Sequence, residues 1–143
     1  MQRQKVRTVL IVSDDASTVV ELKRIMGATD AAVVLAKTPN EARSVMSSLS
    51  PDKPMALVLL DVVLSNVDGP RLVEELRTNS HGTPRIVLLS SFSPQTLESM
   101  RRLWSADESL ATNRGLLHMT AALRGWLGAT DAPPLSRRSQ RPT

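Results

Sequence analysis

The sequence predicts a doubly wound α/β sandwich around a five-stranded parallel sheet. Three observations predict it. Strand-like and helix-like segments alternate along the 143 residues, the pattern of parallel strands joined by crossover helices. The strands read as continuous apolar runs, as they do when both faces of a sheet are covered. Three of the runs, Val9–Val12, Met55–Leu60 and Ile86–Leu89, are followed by polar groups: Asp14-Asp15, Asp61 and Ser90-Ser91. In such sheets ligands bind outside the carboxyl ends of the strands.

Thr8 to Val12 is a short β-branched run and a buried strand. Ser17 to Met26 carries Val19, Leu22, Ile25 and Met26 at helical spacing. Ala31 to Ala36 is the second strand. Thr38-Pro39-Asn40-Glu41 is a capping-box pattern with proline at the first helical position, so a helix runs to about Leu49. Ser50 to Pro54 is a loop, and Met55 to Leu60 the third strand. Gly69-Pro70 opens a third helix that ends near Asn79. His81 to Pro84 is a turn before the fourth strand, Arg85 to Leu89. Ser93-Pro94 starts a fourth helix with Leu97, Met100, Leu103 and Trp104 on its inner face. Ser109-Leu110-Ala111 is a weak fifth strand. Arg114 to Leu127 is a final amphipathic helix stopped at Gly128. The expected domain is 1–128; residues 129–143, rich in Pro, Ser and Arg, are expected to be a disordered tail or linker.

One domain of this length, 41% hydrophobic, buries a real core. The lack of cysteine excludes disulfides and thiolate metal sites, and the absence of a long apolar run argues against a membrane span. The expected location is the cytoplasm. The net charge of +4 sits in the ends: between Thr8 and Gly128 there are 12 Lys/Arg against 13 Asp/Glu. With no basic stripe and almost no aromatic surface, nucleic-acid binding by this domain is not expected.

Carboxylates gathered at one sheet edge repel each other unless one is protonated or a cation is present. An all-oxygen donor set favours a hard ion such as Mg²⁺. A carboxylate beside such an ion can attack a phosphoryl group and form an acyl phosphate, which a nearby hydroxyl can hydrogen-bond. Helix capping is the plainer use of these acids. It suits Asp68, and Asp14 or Asp15 before the first helix. It does not suit Asp61, several residues ahead of its helix.

These residues carry a resemblance. Over about residues 6–127 the chain resembles a response-regulator receiver domain of two-component signalling. Leu57 to Gly69 is similar to the family's phosphoacceptor segment; Val9 to Asp15, Asn40-Glu41-Ala42 and Pro84 to Ser90 add support. The resemblance implies a flavodoxin-like strand order, 2-1-3-4-5. It implies that Asp61 accepts phosphate from a histidine kinase or phosphotransfer protein, and that Ser90 is the switch hydroxyl. It implies Mg²⁺ held by the acid pair (Asp14, Asp15), Asp61 and the Val63 carbonyl. It points to a downstream protein on the face of the fourth helix, fifth strand and fifth helix, and leaves a homodimer open. The expected role is signalling, with at most slow autodephosphorylation.

The chain departs from the family at several positions. Thr112 stands at the usual lysine position and Asn113 at the following proline; Ser109 replaces the switch aromatic, and Ser65 another proline. Arg114 is two residues from the lysine position. The acid pair has two registers, Ser13-Asp14, which is preferred, and Asp14-Asp15. A charge-assisted contact is worth roughly 1.5–3 kcal/mol, so losing the lysine weakens a population shift by about ten- to over a hundredfold. Phosphorylation with weakened or altered switching is therefore expected; the rival is a pseudo-receiver, a docking module that is not phosphorylated. An aspartyl-nucleophile phosphohydrolase needs a second acid two residues on, where Val63 follows Asp61 and Ala16 follows Asp14. His81 and His118 lack partners at metal spacing and read as structural or solvated. Trp104 and Trp126 read as core residues.

Overall fold

The computed structural model describes residues 7–64, 68–80 and 83–131, with side chains as far as Leu127. The five strands are β1 (Thr8–Val12), β2 (Ala32–Ala36), β3 (Met55–Asp61), β4 (Arg85–Ser90) and β5 (Glu108–Ala111). The helices are α1 (Ala16–Met26), α2 (Pro39–Ser48), α3 (Gly69–Asn79), α4 (Pro94–Trp104) and α5 (Leu116–Asp131). All pairings are parallel and the order is β2-β1-β3-β4-β5, the flavodoxin-like order.

The period of two along each strand sends alternate side chains to opposite layers. Leu10, Val12, Val58, Leu60, Ile86 and Leu88 meet Ala42 and Met46 of α2, Leu72 and Leu76 of α3, and Leu97 and Trp104 of α4. Val9, Ile11, Leu57, Leu59, Val87 and Leu89 face Leu22, Ile25 and Met26 of α1 and Met119, Leu123 and Leu127 of α5. Both layers are apolar, which is why the central strands contain no polar alternation. Edge strand β2 is only partly covered, and its Leu35 is exposed.

Thr38 caps α2, its Oγ1 accepting from Glu41 N at 3.1 Å. The return bond departs from the usual capping box: Glu41 Oε1 accepts from Lys37 N at 2.7 Å, the residue before the cap. The expected inner face of α4 needs one correction. Leu97, Met100 and Trp104 face inward, but Leu103 is 74% exposed. Leu103 is six residues after Leu97, roughly 120° around a helix from it. Trp104 is buried, whereas Trp126 is half-buried against the α1–α5 layer.

The last helix starts and ends later than its sequence pattern predicts. Thr112–Arg114 forms a 3-10 turn, and Gly115 follows at φ +102°, a conformation open to glycine but strained for other residues. That break delays α5 to Leu116. Gly128 does not stop the helix, which continues to Asp131. His81 and Ser65 lie outside the described residues. Among the described residues no helix is long and apolar enough to cross a membrane.

Candidate functional site

Register brings the polar strand ends together. Val12 pairs with Leu60, Asp61 with Leu89, and Ser90 with Ala111, so β1, β3, β4 and β5 deliver their last residues to one edge. A cavity of about 520 Å³ opens there. It is lined by Asp14, Asp15, Thr18, Asp61, Val63, Leu64, Leu89, Ser90, Ser91 and Thr112. Every site residue picked from the sequence therefore lies on one wall or another of a single cavity. Arg114, exposed in the 3-10 turn, is not among its lining residues.

Asp61 is the last residue of β3 and half-buried. Its Oδ1 accepts from the amides of Val63 at 2.9 Å and Leu64 at 3.2 Å. Its Oδ2 accepts from Ser13 Oγ at 3.1 Å. Ser13 is the contact that the strand-end acids drew attention away from. Only the register supplies it: with Val12 opposite Leu60, Ser13 and Asp61 are the next pair along parallel strands. Ser90 is buried, and its Oγ accepts from Phe92 N at 2.9 Å. Thr112 is half-buried at the start of the 3-10 turn after β5, and Asn113 Nδ2 donates to Ser91 O at 3.2 Å.

The capping expectation for the acids is corrected by their partners. Asp68 occupies the N-cap position of α3, yet its side chain makes no cap hydrogen bond. Its Oδ2 accepts instead from Arg43 Nη2 of α2 at 2.9 Å, a charge-assisted bond. Asp15 precedes α1 without a side-chain cap bond. Its carboxylate accepts from the Thr18 and Ser17 hydroxyls, and the Thr18 hydroxyl above all holds it below the usual carboxylate range. Asp14 and Asp15 are both exposed at the cavity mouth.

Three carboxylates and no Lys or Arg line this cavity among the described residues. The donors are all oxygen, which suits a hard cation held by one or two carboxylates with the rest of its shell water. No group of three acid or histidine side chains is gathered closely enough to cage a metal among the described residues. The all-oxygen lining fits a Mg²⁺ ion, and the carboxylates of Asp14, Asp15 and Asp61 are the charged groups on that wall. His118 is half-buried on α5 and is not among the residues that line the cavity.

Comparison with known proteins agrees with the fold. The family model for the response regulator receiver domain matches residues 9–103. The chain belongs to the response regulator receiver domain family, a signalling module of two-component systems. Among solved structures it is similar to a two-component response regulator from Clostridium difficile, at 21% identity and TM-score 0.70, covering 88% of this chain and 99% of that one. It is also similar to the receiver domain of a sensor histidine kinase from Pseudomonas aeruginosa PAO1, which holds a magnesium ion in its active-site cleft. The identity is 18% and the TM-score 0.67, covering 86% and 98% of the two chains. A response regulator protein from Burkholderia pseudomallei, with a phosphorylated aspartic acid and a calcium ion, matches at 21% and TM-score 0.65, covering 88% and 73%. At these identities the likeness establishes the fold. No curated protein shows a significant match.

Proposed function

We propose that Asp61 is the phosphoacceptor of this receiver domain, taking a phosphoryl group from a histidine kinase or phosphotransfer protein. The observation that carries this reading is the hydrogen bonding of Asp61 inside the cavity it shares with Ser90. Oδ1 accepts two amide protons and Oδ2 one hydroxyl proton, so Oδ2 is the less engaged oxygen and the one that attacks. Oδ2 attacks phosphorus, the P–N bond of phosphohistidine breaks, and the imidazole nitrogen keeps the electron pair. Oδ1, already held by the Val63 and Leu64 amides, becomes the carbonyl oxygen of the acyl phosphate. The Ser90 hydroxyl accepts from Phe92 N and so has its proton to offer a phosphoryl oxygen.

Mg²⁺ bound by Asp61, Asp14 or Asp15 and the Val63 carbonyl would neutralise charge on the phosphoryl oxygens. Thr112 offers a hydroxyl but no charge, so switching is weakened or altered. The downstream partner, or a second copy of the chain, docks on the α4–β5–α5 face; α5 carries Leu117, 87% exposed. The chain acts in the cytoplasm, consistent with its lack of cysteine.

The test is labelling by radioactive acetyl phosphate with Mg²⁺. Label on the wild type and none on Asp61→Asn is expected; label retained by Asp61→Asn refutes the assignment. The cation-free lining of the cavity favours a second reading, a docking module that is never phosphorylated. A wild type that takes no label while binding its partner would select that reading.

A further inference from the structure

We propose that Ser13 is the positioning residue of Asp61, setting its carboxylate in place before any cation binds. The inference deepens the phosphoacceptor reading and rests on it for its catalytic consequence. Ser13 continues β1 by one residue, its N–H donating to Ala36 O at 3.0 Å, and it is only 3% exposed. Its Oγ accepts from Asp15 N at 3.1 Å and lies 3.1 Å from Asp61 Oδ2. A hydroxyl has one proton. Asp15 N supplies the donor on one side, so the Ser13 proton is committed to Asp61.

The result is a directed chain, from the amide that enters α1 through Ser13 to Oδ2. Each bond polarises the next. With Val63 N and Leu64 N on Oδ1, the Asp61 carboxylate accepts three hydrogen bonds from the chain's own groups. An acid at position 13 would instead set a second negative charge against Asp61, an arrangement that needs a cation to be stable. Ser13 therefore exchanges cation affinity for a carboxylate oriented without metal.

The test uses the full chain with Ser13→Ala, Ser13→Thr and Ser13→Asp. The amide resonances of Val63 and Leu64 report the Asp61 orientation by NMR, and acetyl phosphate labelling reports reactivity. Ser13→Ala is expected to shift both amides in metal-free solution and, with Mg²⁺ present, to slow labelling by about tenfold, the scale of one hydrogen bond to a charged group. Ser13→Thr is expected to restore both. Ser13→Asp is expected to lower the Mg²⁺ half-saturation of those amides by about tenfold. A folded Ser13→Ala chain with wild-type amide shifts overturns the proposal, as does Ser13→Asp with unchanged Mg²⁺ affinity. Ser13-dependent amide shifts in a chain that takes no label support the positioning role and sink only the phosphoacceptor reading.

Discussion

Gly69→Ala tests how tightly the segment after Asp61 is tied to α4. Gly69 is the first residue of α3 and is buried. A Cβ added there would lie closer than 3.0 Å to Cη2, Cζ2 and Cε2 of the Trp104 indole. Trp104 is 3% exposed and sits within the α2–α3–α4 layer, so its ring cannot retreat without opening that layer. Overpacking of this kind costs about 1–3 kcal/mol. Opposing it, Gly→Ala in a helix is worth about 0.5–1 kcal/mol through backbone entropy. The clash wins, and the variant should be about 1–2 kcal/mol less stable. Gly125→Ala supplies the control, because a Cβ there meets nothing within 4 Å inside α5. That variant should be more stable by about 0.5–1 kcal/mol. Urea titration followed by far-UV circular dichroism measures both, with the slope m expected unchanged. A Gly69→Ala protein as stable as Gly125→Ala would refute the packing argument.

Further perturbations probe the staples, the charges and the site. Asp107 Oδ2 accepts from Ile86 N at 2.8 Å and Arg77 Nη2 at 2.9 Å. Asp107→Ala should cost about 1–3 kcal/mol by stranding a strand amide, and Asp107→Asn, which keeps an acceptor, clearly less; urea midpoints decide. Glu75 is held below the ordinary carboxylate range by Arg43, and Glu98 by Arg101. A lowered folded pKa gives stability that is present above the unfolded value and is lost as pH falls through the folded one. Arg43→Gln should therefore flatten the loss of Tm below about pH 4.5; an unchanged acid limb would count against the pair. Thr112→Lys places a cation on the cavity wall, and should raise the phosphodonor-driven change in NMR populations by about tenfold or more. No change on adding that charge would show that position 112 does not report the phosphate.

The architecture was legible because burial on both faces leaves a local mark. Val9–Val12, Met55–Leu60 and Ile86–Leu89 are apolar without alternation, and the polar residues after them mark the edge where the cavity opens. Asp61 and Ser90 are the last residues of their strands, so chain position alone put them at the cavity. Helix ends were less legible. Gly115 and the 3-10 turn reset the start of α5, while Gly128 sits within a helix that it was expected to end.

What the sequence by itself determined was therefore the layer order and which strands end in chemistry, since periodicity and composition are properties of neighbouring residues. What only the tertiary structure decided was which group each polar atom meets. Asp68 looked like a cap until the Arg43 guanidinium, 25 residues earlier, took its carboxylate. Leu103 looked inward until the packing of Trp104 determined which stripe of α4 is covered. Ser13 counted only as a missing acid until the β1–β3 register set its hydroxyl against Asp61, 48 residues away. The physical reason is the same in each case: a hydrogen bond is formed through space at about 3 Å, and the separation in sequence carries no record of it.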